Sequence, residues 1–566
     1  MSTSQPESTA DFQTLSTRLP YDSRRQPVLG TNMVATSHPL AAQAGLEILR
    51  KGGNAIDAAV ATAMALTVLE PSGNGIGSDN FALIWTGGGI HGLNSSGQSP
   101  ALMTPDRYSG QERIGFAGYD GVTTPGAPAG WIEAVQNYGI MSMREVAEPA
   151  IRYARNGHPL APGVGRSYAG VLRRYQTGVH QGFFDTFSTN GPSGKEAPRP
   201  GDWKVLADHA DTLQAIAETD GREFYAGDFA RRLDAHSREF GGAIRGSDLE
   251  RHESDWVRPM HIDYHGWRLH EIPPNGQGMT ALIALGILRR FDIASMEPDD
   301  PDCLHIQIEA MKLAFRDADR YIADPRYMDI DPADLLREDY LESRARLIDR
   351  SRAQDFDHGT PKTGGTVLLT TADDRGNMVS FIQSNYTGFG SGVVVPGTGV
   401  SLQNRGACFV LDEGHPNRVG PNKRPYHTII PGFVTTTPEP GKPERPVMTF
   451  GVMGGFMQPQ GHQQVMCRML HWNQNAQAAL DAPRWQVKEG LEVDLEPGFD
   501  ESTYERLESL GHEVRRFRSA SASFGRGQVI RVLDQNLPQH ANRPDLPNIS
   551  YVAGSDQRSD GQAVGY

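Results

Sequence analysis

Residues 356–383 read FDHGTPKTGGTVLLTTADDRGNMVSFIQ. The texture breaks in the middle of this stretch. Residues 355–365 form a polar linker of Gly, Pro and Thr. Thr366–Thr371 (TVLLTT) then reads as a strand, Asp373–Asn377 as a turn and Met378–Gln383 as a second strand. This predicts a β-hairpin with a five-residue turn containing Gly376-Asn377. A rigid strand that starts directly after an open linker also has chemical meaning. A threonine hydroxyl is a weak nucleophile, and Thr366 has no side-chain base beside it in sequence. Were the backbone cut before Thr366, the freed α-amine, with a reference pKa of about 8, would become that base. Nucleophile and general base would then be one residue. An ordinary linker before an ordinary hairpin fits the same letters, so the local sequence leaves both readings open.

Upstream the chain is mainly helical. Ser37 is placed to cap a helix over Leu40–Lys51, which Gly52-Gly53 ends. Asn54, with Asp57 three residues on, opens a second helix running to Pro71. That helix is apolar nearly all round and is expected to be buried. Residues 130–160 and 205–250, the run MTALIALGILRRF from Met279, and LHIQIEAMKLAFRDADRYIAD ending before Pro325 also read as helices. Gly266–Ile272 alternates like a strand. Downstream of the hairpin, strand-like runs recur at Gly392–Pro396, Thr428–Thr436 and Val447–Met453. The expected organisation is a flexible arm over residues 1–28, a mainly helical part over 29–365, and a β-rich part over 366–566.

Composition excludes several function classes. Formal charge is −14 with no basic block, so a phosphate backbone finds no electrostatic footprint and nucleic-acid binding is not expected. Cys303, Cys408 and Cys467 are too few and too scattered for a disulfide framework. No apolar run is long enough to span a membrane, and the N-terminus lacks the apolar core of a secretory signal. The expectation is a cytoplasmic protein without membrane partners. With 63 glycines and 38 prolines, tight turns should be frequent.

Motif spacing excludes more. There is no H-E-x-x-H and no paired Cys/His spacing, so no metal and no cofactor is expected. His270-Glu271 sits in a strand-like run where neighbours face opposite sides. Gly73–Asp79 (GNGIGSD) precedes a strand rather than joining a strand to a helix, so it reads as a buried pocket-lining turn and not a phosphate loop. Gly388–Gly392 (GFGSG) lacks the strand-to-helix context of a nucleophile elbow and reads as a turn.

Resemblance supplies what local letters leave open. Residues 30 to 530 resemble the γ-glutamyltransferase superfamily of N-terminal-nucleophile hydrolases. The resemblance rests on KGGNAIDAAVATAMALTVLEP, NGIGSDNFALIW, VTTPGAPAGW, IPPNGQG and HIQIEAMKLAFRDADRYIADP, then on GNMVSFIQSNYTGFGSGVVVPGTGVSLQNRGACF, GPNKRPYHTIIP and GVMGGFMQPQGH. It implies an α+β fold, a four-layer αββα sandwich built from both halves of a self-cleaved proenzyme. It places the scissile bond between Gly365 and Thr366, the nucleophile on Thr366, and the oxyanion hole on Gly454 and Gly455. Glycine suits that last role because two backbone donors must approach without a Cβ in the way. The hydroxyl beside the nucleophile falls on Ser384. The implied partners are a small-molecule amide and the chain's own two fragments, as a heterodimer or a dimer of such heterodimers.

Departures from the family pattern bear on substrate. The stretch Leu93–Pro100 (LNSSGQSP) contains no arginine where true γ-glutamyl enzymes clamp the glutamate α-carboxylate. The family's aspartate for the α-amino group falls on Cys408, its nearby glutamine on Arg405, and its paired serines on His427 and Thr428. Tyr386 completes the implied lining. On this reading the pocket has lost an anion for the amine and gained a cation beside the nucleophile, which suits an acyl group with a carboxylate and no amine. Motifs such as NGIGSD, LQNRGA and RPYHTIIP resemble an oxamate amidohydrolase-like branch. Related cephalosporin acylases also take an amine-free acyl group. The expected activity is hydrolysis of an oxamate-like amide through an acyl-threonine. The alternatives are γ-glutamyl transfer or glutathione hydrolysis, a cephalosporin-acylase-like amidase and, from another class, an unprocessed binding protein.

Overall fold

In the computed structural model the hairpin forms, as strands Gly365–Ala372 and Met378–Tyr386 around the turn Asp373–Asn377. The structure describes residues 24–175, 178–191, 194–356, 365–535 and 548–566. Residues 357–364 of the expected linker therefore lie outside the described residues. The hairpin is apolar on both faces, and a strand of that kind needs cover on both sides. Val367 and Leu369 point into one core with the helices, while Leu368 and Ala372 point into another between two sheets.

The hairpin is the centre of a seven-stranded antiparallel sheet, ordered Gln562–Gly565, Met33–Thr36, Gly365–Ala372, Met378–Tyr386, Asp79–Thr86, Gly89–Ser95 and Asp255–Val257. A second antiparallel sheet of seven strands faces it, ordered Val28–Gly30, Ile549–Ser555, Arg526–Gln535, Pro446–Met453, Gly432–Thr436, Trp267–Glu271 and Met260–Tyr264. Phe81, Leu83, Trp85, Leu368 and Ile382 of the first pack on Phe433, Met453, Ile530 and Tyr551 of the second. Helices Pro39–Arg50 and Ala55–Leu69 cover the outer face of the first sheet. Helices Gly278–Leu288, Pro301–Tyr321 and Met457–His471 cover the second. This is the expected α+β, four-layer αββα sandwich. The part before residue 366 is less purely helical than its sequence texture implies, because it supplies strands to both sheets.

Local signals account for much of this. Asn54 caps Ala55–Leu69, accepting from the N–H groups of Ile56 and Asp57 at 3.0 Å, while Asp57 accepts from the Asn54 N–H at 2.9 Å. All fifteen residues of that helix are buried, as its unbroken apolarity demands. It lies close to its neighbour because Gly45 has no Cβ to collide with Thr62 Oγ1.

Three local readings change. The helix expected to start under Ser37 is capped by His38, whose Nδ1 accepts from the Leu40 N–H at 3.2 Å, because Ser37 Oγ is committed to Glu70 at 2.5 Å. Gly392–Pro396 buries its three valines but forms a loop. Gly392, Gly397 and Gly399 all take positive φ there, and only Val394 bridges, to Ser401. In the run 428–436 the strand begins at Gly432. Of the expected N-terminal arm, residues 1–23 lie outside the described residues, and Arg25 docks on the Gly561 carbonyl at 2.9 Å.

Candidate active site

Thr366 sits where the pairing of the hairpin breaks register. Gly365 pairs with Tyr386 but Val367 with Gln383, so the second strand carries an extra residue opposite Thr366. Such bulges bend a strand and re-aim its side chains. Here the bulge sets Thr366 Oγ1 3.3 Å from Ser384 Oγ, and both side chains are buried. Behind the candidate nucleophile, Arg526 donates to the Thr366 carbonyl at 3.0 Å and pairs with buried Glu70 at 2.7 Å. Gly73 leaves room for that carbonyl, since a Cβ there would stand 3.1 Å from its oxygen.

Arg405 lies on the other side of Ser384. Its Nη2 donates to Ser384 Oγ at 3.1 Å and its Nη1 to Thr428 Oγ1 at 2.7 Å, with Cys408 Sγ at 3.9 Å. The Tyr386 ring lies under the guanidinium, 4.6 Å from Cζ to the ring centroid. Tyr386 holds this place with φ at +74°, a left-handed conformation that a bulky side chain adopts only under constraint from its surroundings. Arg405 is fully buried, its Nε has no hydrogen-bond partner, and its side-chain hydrogen bonds go to uncharged groups. Two hydrogen bonds thus link a buried cation to the candidate nucleophile through one serine.

His427 is brought to the same place, but both of its nitrogens are engaged. Nδ1 accepts from the Ile429 N–H at 3.3 Å, which leaves Nε2–H to donate to Asp79 Oδ2 at 3.1 Å. Burial, with Arg405 and Arg424 in range, holds His427 well below the usual imidazole range. Asp79 also accepts from the Gly97 N–H at 2.9 Å. Burial pushes its carboxyl up to about 7, against the downward pull of Arg405. The sequence reading left this pocket without an anion, and Asp79 supplies one. The signal for it is an aspartate opening the strand Asp79–Thr86, ahead of its apolar run Phe81–Trp85.

Gly454 and Gly455 follow the strand Pro446–Met453 and precede the helix Met457–His471, at φ +137° and +62°. Among the described residues neither N–H has an acceptor within the protein. A Cβ on Gly454 would crowd Gly525 Cα at 3.2 Å and Met457 Cβ at 3.3 Å. Gln277, from the IPPNGQG segment, ties this turn to the pocket. Its Nε2 donates to the carbonyls of Thr428 at 2.6 Å and Gly455 at 2.9 Å, and Tyr426 holds its Oε1. Gln277, Asp79, Glu70 and Arg526 are functional candidates that the sequence reading did not single out.

Among the described residues one cluster has metal-ligand chemistry, His305, Glu309 and His512, with ligand atoms within 4.8 Å of one another. Lys312 Nζ already bonds Glu309 at 2.9 Å and His512 Nδ1 at 3.4 Å. His512 in turn bonds His305 at 2.8 Å. A cation would have to displace that ammonium. No helix among the described residues is long and apolar enough to cross a membrane.

Comparison with known proteins identifies the family. The family model for gamma-glutamyltranspeptidase matches residues 41–566. The chain is 35% identical to a glutathione hydrolase-like YwrD proenzyme of Bacillus subtilis, over 95% of this chain and 99% of that protein. It is 34% identical to an oxamate amidohydrolase proenzyme of Klebsiella pneumoniae, over 94% and 98% respectively. Its structure is similar to that of a cephalosporin acylase from Bacillus halodurans, with a TM-score of 0.89 and 46% identity over 97% of this chain and 99% of that one. The chain belongs to the gamma-glutamyltranspeptidase family of N-terminal-nucleophile enzymes.

Proposed function

We propose that the protein is a self-processing amidohydrolase that cleaves short, carboxylate-bearing amides of the oxamate type. The observation that carries this reading is Arg405, a buried guanidinium with uncharged hydrogen-bond partners and an orphan Nε, two hydrogen bonds from Thr366. A buried charge without a partner is costly, and a substrate carboxylate would satisfy it through charge-assisted hydrogen bonds. The short separation favours a carboxylate close to the scissile carbonyl over the distant α-carboxylate of a γ-glutamyl group.

In the precursor, Thr366 Oγ1 attacks the Gly365 carbonyl carbon. The Gly365 acyl group shifts from the Thr366 nitrogen to Oγ1, which breaks the C–N bond and frees the α-amine; water then hydrolyses the ester, releasing the Gly365 carboxylate and restoring the Thr366 hydroxyl at the new N-terminus of residues 366–566. In turnover that amine takes the hydroxyl proton as Oγ1 attacks the substrate amide. The N–H groups of Gly454 and Gly455 stabilise the oxyanion. The amine then passes its proton to the leaving ammonia, and water hydrolyses the acyl-threonine. The proenzyme names of relatives support the processing step.

The likeness to a cephalosporin acylase favours a second reading, a larger amine-free acyl group in the same pocket. A series of ω-carboxy amides of increasing length tests both. Highest kcat/KM for oxamate supports the short-acyl reading. A monotonic rise with chain length supports the acylase, and preference for a γ-glutamyl amide refutes both.

A further inference from the structure

The charges of the acyl pocket do not balance once a substrate enters. Arg405 carries one positive charge and Asp79, when ionised, one negative, and both side chains are fully buried. The groups facing Asp79 are His427 in direct contact, Arg405 and Arg424 within electrostatic range, and the Tyr225 phenol. His427 is neutral, with its proton on Nε2. Tyr225 is neutral too, because burial raises its phenol far above neutral pH and its hydroxyl donates to the Pro125 carbonyl at 2.9 Å. Arg424 is paired with Asp255. With the Thr366 α-amine in its neutral, catalytic form, a substrate carboxylate at Arg405 would therefore leave two buried anions against one unshared cation, an arrangement opposed by desolvation.

We propose that binding of a carboxylate at Arg405 is coupled to uptake of one proton from solvent by the Asp79 carboxylate, which makes Asp79 the residue that sets the pH range of substrate binding. This rests on the reading of Arg405 as the carboxylate site. With the free Asp79 carboxyl held at about 7, the proton is already in place below that pH. Above it, binding must draw the proton in, and affinity falls about tenfold per pH unit until the pKa of the bound state is reached. An ammonium-bearing ligand would show the opposite trend.

The test uses the mature enzyme with propionate as a non-hydrolysable carboxylate, its inhibition constant against oxamate hydrolysis measured from pH 6 to 9. The expected result is a constant value below about pH 7 and a tenfold weakening per unit above it, with Asp79→Asn giving a flat profile. In wild-type protein labelled with ¹³C-aspartate, adding propionate at pH 8 should produce a protonated-carboxyl band in the infrared difference spectrum at the labelled frequency. Neither the Thr366 amine nor the ligand can produce that band, and the measurement needs no folded variant. A flat wild-type profile, or no labelled band while propionate inhibits, overturns the coupling and leaves the Arg405 site standing. If propionate does not inhibit and Arg405→Lys leaves oxamate turnover unchanged, the carboxylate site itself falls.

Discussion

Arg526 donates to the backbone carbonyl of Thr366 at 3.0 Å, and so holds the candidate nucleophile from behind while its other nitrogen pairs with Glu70 at 2.7 Å. The contact joins the strand Arg526–Gln535 of one sheet to a central strand of the other. It fixes the peptide following Thr366. Lysine has a single ammonium and cannot span Glu70 and the carbonyl as a guanidinium does. Arg526→Lys should slow self-cleavage about tenfold or more, the scale of one charge-assisted hydrogen bond. A time course of precursor loss on a denaturing gel measures it, and an unchanged rate would remove Arg526 from the machinery.

Self-cleavage should yield a small fragment whose first residue is Thr366, while Thr366→Ala should remain one chain. N-terminal sequencing decides the point. Any other first residue refutes the assignment.

Turnover should require the neutral α-amine of Thr366, so activity falls as pH drops through its pKa. Burial and a nearby cation both disfavour the charged amine, which places that limb below its reference of about 8. EDTA should leave the rate unchanged. Loss of activity in chelator, restored by zinc, would point instead to a metal at His305, Glu309 and His512.

Arg405→Lys should lower kcat/KM for oxamate by about 2 kcal/mol or more, since lysine cannot reproduce the two directed hydrogen bonds to Ser384 and Thr428. A γ-glutamyl anilide should be a poor substrate for the wild type, because its ammonium would come beside the guanidinium. Efficient anilide turnover, with oxamate turnover indifferent to the substitution, would return the chain to the γ-glutamyl transferases.

Asn54→Ala, made in the uncleaved Thr366→Ala background, should destabilise the chain by about 1 kcal/mol through loss of the cap on Ala55–Leu69. A shifted denaturant midpoint at constant slope is the expected signature. No shift would mean that the Asp57 half of the capping box suffices.

What the sequence revealed was whatever depends on near neighbours. The hairpin, the Asn54 cap and the buried Ala55–Leu69 helix follow from patterns a few residues long. Cap choice already escaped such reasoning at Ser37, whose hydroxyl is taken by Glu70, thirty-three positions on. The loop 392–396 looks like a strand because valine favours strands, yet the glycines around it turn the backbone away. Thr366, Ser384 and Arg405 came from resemblance and meet in space. Asp79 and His427 lie 348 positions apart, and only the folded chain brings them together. Gln277 was hidden for the same reason, since its partners Thr428 and Gly455 are far along the chain.

The weave of the sheets also sets a clock. Met33–Thr36 lies between the strand that carries the candidate nucleophile and Gln562–Gly565, a strand made well after it. Arg526, Gly454 and Gly455 are likewise late products of translation. A nascent chain that has just emerged past Thr366 therefore lacks the parts that would let it cut itself. On the proposed mechanism, translation must run on through these later residues before the Gly365–Thr366 bond can be cut. Ribosome-bound chains arrested before Arg526 should be found intact.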